Sequence, residues 1–562
     1  MNQTRVFLLF AWLMVAGLLW MEWAREKAAP APQVTSGTTT GATMPTQAAS
    51  GAVPTAAAGA IPTPMTPAAP ATAAAGPTTV SVRTDVLDLV LDGGQILQAD
   101  LAVYPDNDNA GRPVRLFATD PQHYFAAQAG WIGAAAPTHL AGFVPAGRSR
   151  AYQLAPGAAR LDVPFVWHGP NGVSIRRTYT FTRGGYAVAV RDDVINAGAT
   201  PWEGSIYRQL SRVVPPAVSS GPFGATALSF QGAAWYSPQD KYEKRKFENF
   251  IDDGALTKEV AGGWIAMLQH HFFSAWIPEP GDRTRFETAT PAGTGGTNYV
   301  IREVGPAVRV APGMQVTTQA RLWIGPKAVE QIQAQKVAGL ERAVDFSKFD
   351  TMAAIAGWLY AVLAWLHSLF GNWGWSIVGL VVIIKTLMLP LSVAQYRSMA
   401  KMRKLQPKLA QLRERYGEDR QQYGMAQMEL FRKEKVNPMG GCLPLLVQMP
   451  VFLALYWMLS ESVELRHAPW IGWIRDLTAR DPFFVLPALN MAVTWATQRL
   501  TPTAGMDPMQ AKMMQFMPLV FGIMFAFFPA GLVLYWVTNG LLTLLQQWWF
   551  MRYYSDRPAA KA

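Results

Sequence analysis

Cysteine and charged side chains are scarce in this sequence. Its 562 residues contain one cysteine, Cys442, which excludes an intramolecular disulfide and a cysteine-based metal cluster. Only 15% of the residues are charged, against about 25% in soluble domains. Half of the residues are hydrophobic, and they are concentrated in long charge-poor runs near the N-terminus and after residue 350. This distribution indicates a membrane protein.

The sequence also lacks the common catalytic and nucleotide-binding motifs. It contains no Gly-x-Ser-x-Gly, no His-Glu-x-x-His and no phosphate-binding loop, and its seven histidines are scattered. We therefore expect neither an enzyme active site nor a bound metal or cofactor. The net charge of +11 becomes informative only once the basic residues have been located along the chain.

The N-terminus has the form of a membrane segment. The stretch from Val6 to Met21 carries no charge, so residues 1–23 are either a signal peptide or an uncleaved anchor. Glu22 to Lys27 make a poor cleavage site, which favours an uncleaved transmembrane signal anchor. Residues 24–80 are rich in Ala, Pro and Thr and predict a disordered linker. Both interpretations of 1–23 export the residues that follow.

Residues 81–350 predict a large β-sandwich. Short runs with alternating apolar side chains flank a glycine turn, as in Thr178–Thr182 and Tyr186–Val190, which is a hairpin pattern. A similar pattern around Pro-Gly within 307–322 predicts a second hairpin. Apolar residues then recur at helical spacing within 327–344, which predicts a surface helix that closes the β-domain.

Residues 351–562 predict a membrane domain. From Met352 to Leu391 there are 40 residues with a single charge, Lys385, which is about twice the length needed to cross a bilayer. The run must therefore break, and Gly371–Trp375 is the obvious place. Together with the N-terminal anchor, the apolar stretches predict six spans with both termini in the cytoplasm. The predicted segments are an interfacial helix at 352–370 and spans at about 373–391, 438–459, 483–500, 513–529 and 531–550.

The loop at 392–436 sets the predicted orientation. It holds eleven Lys and Arg against five Asp and Glu, and positively charged loops stay in the cytoplasm. Because the β-domain is exported, the chain must cross the membrane once between the β-domain and this loop. We assign that crossing to 373–391, which places the helix at 352–370 along the outer interface.

The same loop predicts an antiparallel helical hairpin in the cytoplasm. Its first half carries a seam of apolar residues at spacings of three and four: Met402, Leu405, Leu409, Leu412 and Tyr416. A turn follows near Gly417, and Asn437-Pro438 ends the second half. That second half is predicted to carry three apolar residues on one side: Met425, Met428 and Phe431.

Lys385 is the most informative residue of the membrane domain. A lysine at the centre of a span is unfavourable by about 2.5–3.5 kcal/mol on insertion scales. It lies six residues from Leu391, so its stem could reach the inner interface by snorkelling. The alternative is a cation in a water-filled cavity that opens to the cytoplasm and attracts acidic groups. Polar residues in other spans, Gln448 and Tyr535 among them, could equally form hydrogen bonds between helices.

Four stretches of the membrane domain resemble the YidC membrane protein insertases of Gram-negative bacteria. The resemblance covers about residues 355–555 and is specific there, whereas the anchor and the β-domain agree with the family mainly in layout. The stretches are Lys435–Pro444, Gln448–Phe452, Asp507–Gln510 and Phe528–Trp536.

The resemblance implies a fold and an activity. A YidC insertase inserts and helps to fold inner-membrane proteins, alone or with the Sec translocon (SecYEG and SecDF). Its exported domain is a periplasmic β-supersandwich of galactose-mutarotase-like shape. Its five-helix core encloses a hydrophilic groove that is open to the cytoplasm and to lipid. We therefore expect an α-helical polytopic protein of the bacterial inner membrane, with six spans, a cytoplasmic helical hairpin and a periplasmic β-supersandwich.

The resemblance also assigns site residues. The family carries a positive residue in the groove, usually arginine, and the matching residue here is Lys385. Lysine keeps the charge but loses the bidentate fork of arginine. Gln448 and Tyr535 match further groove positions, and we place Trp536 with them as client-contacting residues. The residues expected to contact ribosomes or targeting factors are basic residues of the hairpin: Arg403, Lys404, Lys408, Arg413 and Arg415.

The expected partners are macromolecules and lipid. They are nascent membrane proteins, the Sec translocon, the ribosome and signal recognition particle pathway, and the bilayer, with no small-molecule substrate. The main alternative function is a small-solute transporter or channel with an exported β-domain, although the predicted spans contain no carboxylates of the kind that proton-coupled transport uses. A third class is a carbohydrate-active exported enzyme on a membrane stalk, but a sandwich fold supplies no active site by itself.

Overall fold

Strands fill the first part of the chain and helices the second. The computed structural model describes residues 79–106, 111–133, 135–140, 142–216, 229–293, 296–346, 350–416, 419–434, 443–500 and 508–555. The predicted signal anchor and the linker up to residue 78 lie outside this part of the chain. The described residues form two compact units, a β-unit that ends at Val344 and a helical unit that begins at Asp345.

The β-unit contains strands with alternating burial. In β9, for example, the odd-numbered residues from Val173 to Phe181 are buried while the even-numbered residues are more exposed, as expected for a strand with one face on a core. The strands, in chain order, are β1 Thr79–Arg83, β2 Leu87–Asp92, β3 Gln95–Pro105, β4 Pro113–Phe117, β5 Phe125–Ile132, β6 Val144–Pro145, β7 Ala151–Gln153, β8 Arg160–His168, β9 Val173–Thr182, β10 Ala187–Asn196, β11 Trp202–Arg212, β12 Gly232–Ser237, β13 Lys241–Lys246, β14 Thr257–Ala261, β15 Trp264–Leu268, β16 Phe272–Pro278, β17 Arg283–Ala289, β18 Ala292–Gly293, β19 Gly296–Thr297, β20 Tyr299–Val310 and β21 Gln315–Pro326.

These strands form two large sheets. One has ten strands in the order β14-β17-β20-β11-β5-β3-β2-β1-β7, with β4 beside β3, and the other has nine strands in the order β13-β12-β15-β16-β21-β10-β9-β8-β6. Strands β18 and β19 pair separately. Pairing is antiparallel except between β1 and β7. The β-sandwich predicted for this part of the chain is therefore confirmed as a two-sheet structure.

One predicted hairpin is confirmed and the other is wrong. Strands β9 and β10 pair antiparallel, with Thr180 opposite Ala189. Strands β20 and β21 are joined by the expected Pro-Gly turn but belong to different sheets. Asn196 explains the difference, because its side-chain amide donates to the Val310 carbonyl and its backbone bonds to Gly313 and Met314. These bonds fix the turn at the end of β10, where the chain crosses from one sheet to the other.

The single helix predicted within 327–344 is also wrong. The structure has a short helix, α2, at Val329–Gln333 and a 3-10 helix at Leu340–Val344. Lys336 and Gly339 between them have positive φ angles of 53° and 72°, which end a right-handed helix. Gly339 packs on the Tyr236 ring, where a Cβ atom would lie 2.3 Å from ring carbons. The apolar residues of the pattern still face the β-unit, since Ile332, Leu340 and Val344 are buried.

A buried ion pair links the two sheets. Arg177 on β9 and Asp192 on β10 are 0% and 1% exposed, and two hydrogen bonds of 2.6 and 2.7 Å join them. Arg177 also donates to the Ala129 carbonyl at 2.7 Å, and the Trp131 indole donates to Asp192 at 2.8 Å, both from β5 of the other sheet. The nearby carboxylate raises the pKa of Arg177 against the opposing effect of burial. This network satisfies both buried charges.

His139 lies beside this network and gives the β-unit a predicted pH dependence. Its Nδ1 is 2.6 Å from the Tyr207 hydroxyl, and burial, with a smaller contribution from Arg177, lowers the pKa of His139 to about 4. The unfolded chain has a histidine pKa of about 6.5 and binds the proton first. The contribution of His139 to the stability of the β-unit is therefore fully present above about pH 6.5, and it is lost as the pH decreases towards 4.

The measurement is thermal unfolding of the detergent-solubilised protein at about pH 7.5 and about pH 5. Between these two pH values, His139 alone should lower the free energy of unfolding by about 2 kcal/mol. A His139→Gln variant should lose less stability over the same interval, because it has no proton to take up at that position. Equal losses in wild type and variant would contradict the assignment.

Helices form the second unit. Asn249–Asp252 is a short helix, α1, within the β-unit, and another 3-10 helix at Val463–Leu465 belongs to the helical unit. The helices of the second unit are α3 Asp350–Phe370, α4 Trp373–Leu387, α5 Leu389–Lys404, α6 Gln406–Tyr416, α7 Arg420–Lys433, α8 Leu443–Glu461, α9 Val485–Leu500, α10 Pro508–Phe525 and α11 Ala530–Ser555.

Length and hydropathy single out few of these helices as membrane spans. Within the described residues, Thr351–Phe370 is long and apolar enough to cross a bilayer alone, and the bent pair α4 and α5 adds a second if it is one broken span. An interfacial position for 352–370 and a total of six spans therefore stay predictions. The structure does break the chain at Gly371 and between α10 and α11, where the sequence favours breaks.

In the basic loop, the end of α5 leads into α6, and α6 packs against α7. Leu405 and Leu409 from the predicted seam are buried against Phe431 of α7, with Met402 and Leu430 packed around them. Met425 and Met428, which the sequence places on the same side as Phe431, are instead 60% and 68% exposed. Each step of three residues turns a helix by about 300°, so over six residues Phe431 moves about 120° away from Met425. Of these three residues, only Phe431 is buried against the seam.

Candidate functional site

The site is built where α4 meets α11. Asn372 caps α4 by accepting the Trp375 backbone N–H at 3.1 Å, and Lys385 lies in the last turn of the helix. Helix α4 ends at Leu387, before the predicted end of the span at 391, and the chain bends by 62° between α4 and α5. Pro390 accounts for the bend, since proline lacks the N–H that would continue the helix and disfavours helical geometry at the residue before it.

Lys385 contacts a partner on another helix. The Lys385 side chain is half-buried, and its Nζ donates to Oγ1 of Thr543 on α11 at 2.8 Å. The Thr543 hydroxyl donates in turn to the Asn539 carbonyl one turn earlier, at 2.7 Å. The ammonium group is thus fixed against α11 inside the helical unit.

Tyr396 joins the same cluster, although the sequence did not point to it. The bend places α5 against α11, and the buried Tyr396 hydroxyl donates to the Thr543 carbonyl at 3.3 Å. Its ring also stacks on Phe550, with 5.5 Å between the ring centroids. Three elements, α4, α5 and α11, therefore meet at Thr543.

Gln448 and Tyr535 form a second polar pair. The Gln448 amide on α8 donates to the Tyr535 hydroxyl on α11 at 3.0 Å, and Tyr535 is 2% exposed. Trp536 packs its ring against Phe452 and Phe525, at 4.8 and 5.3 Å between centroids. Its indole N–H is buried and has no hydrogen-bond partner among the described residues.

The Lys385–Thr543 pair and the Gln448–Tyr535 pair both use residues of one polar stripe of α11. At 100° per residue, its members fall within an arc of about 80° of the helix circumference. Tyr535 and Thr543 are eight residues apart, which places the two pairs about 12 Å apart along the helix axis. The members are Tyr535, Asn539, Thr543 and Gln546. This helical spacing is a sequence signal for Thr543 that single residues do not give.

A loop covers the opposite end of the helical unit. The segment between α8 and α9 accepts two hydrogen bonds of 3.2 Å from the Asn372 amide, at the carbonyls of Pro469 and Trp470. It also accepts the Gly531 N–H at Leu477, at 2.8 Å. Gly374 lets α4 approach closely, since a Cβ atom there would lie 2.2 Å from the Trp470 ring. The loop thus ties the start of α4 to the start of α11.

A buried carboxylate holds this covering loop in shape. Asp481 is 1% exposed and accepts the Trp473 indole N–H at 2.9 Å. It also accepts the backbone N–H groups of Phe483 and Leu486, at 3.1 and 2.7 Å, where α9 begins. Charge at a helix N-terminus is favourable because the first N–H groups have no partner within the helix. Asp481 was not among the predicted site residues, although an acidic residue just ahead of an apolar helix is a signal that the sequence does contain.

The predicted basic residues of the hairpin have different surroundings. Lys408 forms a salt bridge with Glu434 at 2.5 Å, which joins α6 to the end of α7. The Arg415 guanidinium lies 5.6 Å from the Tyr416 ring, and Lys404 is exposed at the end of α5. The side chains of Arg403 and Arg413 lie outside the described residues.

Metal ligands are not gathered anywhere in the described ranges. No group of three or more His, Cys, Asp or Glu side chains there could hold a metal ion. An apolar helical unit with a lysine and a polar stripe between its helices, joined to a two-sheet β-unit, is the architecture of a membrane protein with a large domain on one side of the bilayer.

Comparison with known proteins gives the family. The family model of the YidC periplasmic domain matches residues 79–362, and that of the 60Kd inner membrane protein matches residues 365–557. A membrane protein insertase YidC of Xanthomonas campestris pv. campestris (strain 8004) is 54% identical, covering 100% of this chain and 99% of the relative. Another, of Stenotrophomonas maltophilia (strain R551-3), is 53% identical, with 99% and 98% covered. The chain belongs to the YidC family of membrane protein insertases.

Family membership places the chain in the inner membrane with the β-unit in the periplasm. A solved structure of an active YidC insertase is 17% identical, with a TM-score of 0.37, and the match covers 84% of this chain and 92% of that one. The galactose-mutarotase-like shape expected for the β-unit stays a prediction.

Proposed function

We propose that this protein inserts membrane proteins through a hydrophilic groove that Lys385, Gln448, Tyr535 and Trp536 line. The observation that carries the proposal is the hydrogen bond from Lys385 to Thr543 on α11. A snorkelling lysine extends its stem towards water at the membrane surface. This lysine instead turns to a neighbouring helix and joins a polar stripe, which favours a charge used inside the bundle.

The proposed mechanism relies on a shorter path through the hydrocarbon layer. A client tail that carries an acidic residue must leave water, and an unpaired charge in a low-dielectric layer is strongly unfavourable. A groove that admits water from the cytoplasm reduces the thickness to be crossed, and the Lys385 ammonium attracts the carboxylate on the way. The apolar segment of the client then moves sideways into lipid, driven by its own transfer free energy. No catalytic step, metal or cofactor takes part.

The proposed topology closes the groove on the periplasmic side. The six spans are the N-terminal anchor and the five segments near 373–391, 438–459, 483–500, 513–529 and 531–550, with both termini in the cytoplasm and 352–370 along the outer interface. With this topology the loop between α8 and α9 is periplasmic, and its bonds to Asn372 and Gly531 join two spans at that end. The excess of basic residues in 392–436 supports the same orientation.

We further propose that the cytoplasmic hairpin meets ribosomes or the signal recognition particle pathway, and that the protein also works with the Sec translocon. The supporting feature is the set of basic residues on α5 and α6, which includes Lys404 and Arg415. Contact with RNA through such residues would be electrostatic and would weaken as salt increases.

The test of the proposed function is insertion by the purified protein alone. Proteoliposomes that contain only this chain receive a newly synthesised single-span client with a short acidic tail, and protection of the tail from external protease measures insertion. We expect insertion well above that into empty liposomes. If several clients insert no better than into empty liposomes, autonomous insertion is wrong.

Deleting the periplasmic β-unit should leave most of the insertion activity. The cut belongs at residue 344, since Ile332, Leu340 and Val344 are buried in the β-unit and an earlier cut would expose them. In the proteoliposome assay, a variant lacking residues 79–344 should insert the acidic-tailed client within about threefold of wild type, because the groove residues all lie in the helical unit. Complete loss in a correctly integrated variant would favour a function that resides in the β-unit, such as that of an exported enzyme.

A further inference from the structure

We infer that Thr543 is the positioning residue for the groove charge. The inference rests on the proposed function of Lys385. Lysine has no planar fork and reaches its position through a flexible stem with four rotatable bonds. A charge on such a stem acts at a defined depth only if another group holds it. Thr543 is the group that accepts a hydrogen bond from Lys385 in the structure.

The hydrogen bonds of the Thr543 hydroxyl fix its orientation. A hydroxyl has one donor and two acceptor lone pairs. The donor is directed to the Asn539 carbonyl at 2.7 Å, so the lone pairs face away from the α11 backbone, where one accepts from Lys385 at 2.8 Å. Because its donor is already used, Thr543 holds the ammonium and offers no proton to a client.

The backbone of Thr543 is held as well. Tyr396 donates to the Thr543 carbonyl at 3.3 Å from α5, after the 62° bend that follows α4. Thr543 is thirteen residues from the start of α11 at Ala530, so it lies about 20 Å along the helix from the covered periplasmic end. The ammonium is thereby held at one level, on the stripe that continues outward to Tyr535.

The ammonium held by Thr543 can still bind an acidic group of a client. An ammonium has three donors, and the bond to Thr543 uses one, which leaves two for an incoming group. Two donors on one nitrogen suit a single carboxylate in the tail of the client. Insertion of an acidic-tailed client should therefore depend on Thr543, whereas insertion of the same client with the acidic residue changed to its amide should not.

The experiment compares four versions of the full-length protein in proteoliposomes: wild type, Thr543→Val, Thr543→Ser and Thr386→Val. Thr386→Val is the matched control, because Thr386 adjoins Lys385 and its hydroxyl also donates to a carbonyl one turn earlier, that of Val382 at 2.8 Å. Valine keeps the shape of threonine and removes the hydroxyl. We expect Thr543→Val to insert the acidic-tailed client about fivefold more slowly, the effect of one lost hydrogen bond to a charged group after partial compensation by water.

The other variants distinguish loss of the positioning hydroxyl of Thr543 from general damage to the protein. Thr543→Ser should restore the rate, Thr386→Val should stay within about twofold of wild type, and the amide-tailed client should be inserted equally by all four. In a Lys385→Ala background, Thr543→Val should change the rate by no more than about twofold, since the interaction is already gone.

Three outcomes would overturn the inference. If Lys385→Ala impairs the acidic client but Thr543→Val does not, the charge matters and Thr543 does not position it. If Thr543→Val slows both clients equally and serine fails to rescue it, the hydroxyl has a packing role only. If Lys385→Ala itself inserts both clients as wild type does, the proposed function of the charge fails, and the inference fails with it.

Discussion

Replacing Lys385 with alanine should reduce insertion of an acidic-tailed client by about 10- to 100-fold, the range of a lost interaction with a charged hydrogen-bonding partner. The effect is expected to be large because the Lys385 side chain is half-buried in the helical unit, where the attraction between an ammonium and a carboxylate is screened less than in bulk water. Alanine also leaves the Thr543 hydroxyl without its bond from α4. Protease protection of the client tail in proteoliposomes measures the change.

Two further substitutions at Lys385 show what the charge does. Lys385→Met keeps the length and removes the charge, so it should behave as alanine does. Lys385→Arg keeps the charge and restores the residue usual in the family, so it should insert at least as well as wild type if the groove prefers a planar fork. An amide-tailed client is the matched control for all three variants. Wild-type insertion by alanine and methionine variants alike would show that Lys385 snorkels and that the groove works without it.

Replacing Asp192 with alanine should destabilise the periplasmic β-unit by about 3–5 kcal/mol, because it leaves the Arg177 charge buried without its partner. The loss also removes the acceptor for the Trp131 indole N–H, and Arg177 itself is 0% exposed. Such a variant should unfold at much lower denaturant concentration. Hydrogen exchange of the β9 and β10 amides in the full-length protein, followed through a urea series, locates the effect in this unit.

A surface ion pair in the same sheet provides the control. Arg160 and Asp162 on β8 form an exposed pair, and Asp162→Ala should change stability by no more than about 1 kcal/mol. The double variant Arg177→Met with Asp192→Leu should recover most of the stability that Asp192→Ala loses, since it removes both buried charges. An Asp192→Ala protein as stable as Asp162→Ala would mean that water reaches Arg177 and that the pair is not desolvated.

The β-unit shows how much of a fold the alternation of apolar side chains along a strand can predict. Alternating side chains and glycine turns were enough to predict strands, and the hairpin of β9 and β10 followed from them. The same pattern in β20 and β21 predicted a pairing that does not exist. Whether two strands joined by a tight turn pair with each other depends on where that turn is anchored, and here Asn196 from another strand anchors it.

The helical unit shows the corresponding limit for helical periodicity. The predicted seam was correct at Leu405, in the break just ahead of α6, and at Leu409, one turn later, because both are buried against Phe431. The second helix was predicted less well, since Met425 and Met428 are apolar yet exposed. Spacing identifies residues that share a face, but the partner helix decides which face is covered.

The sequence by itself determined the class of this protein and most of its proposed groove. Charge-poor runs and the basic loop identified a membrane protein, and Lys385 was conspicuous because a charge in such a run is energetically unfavourable. Only the tertiary structure decided what Lys385 contacts. Thr543 is 158 residues further along the chain and Tyr396 lies beyond a bend, so neither has a local pattern that joins it to Lys385. Contacts between helices depend on how the bundle packs, and a one-dimensional pattern does not contain that information.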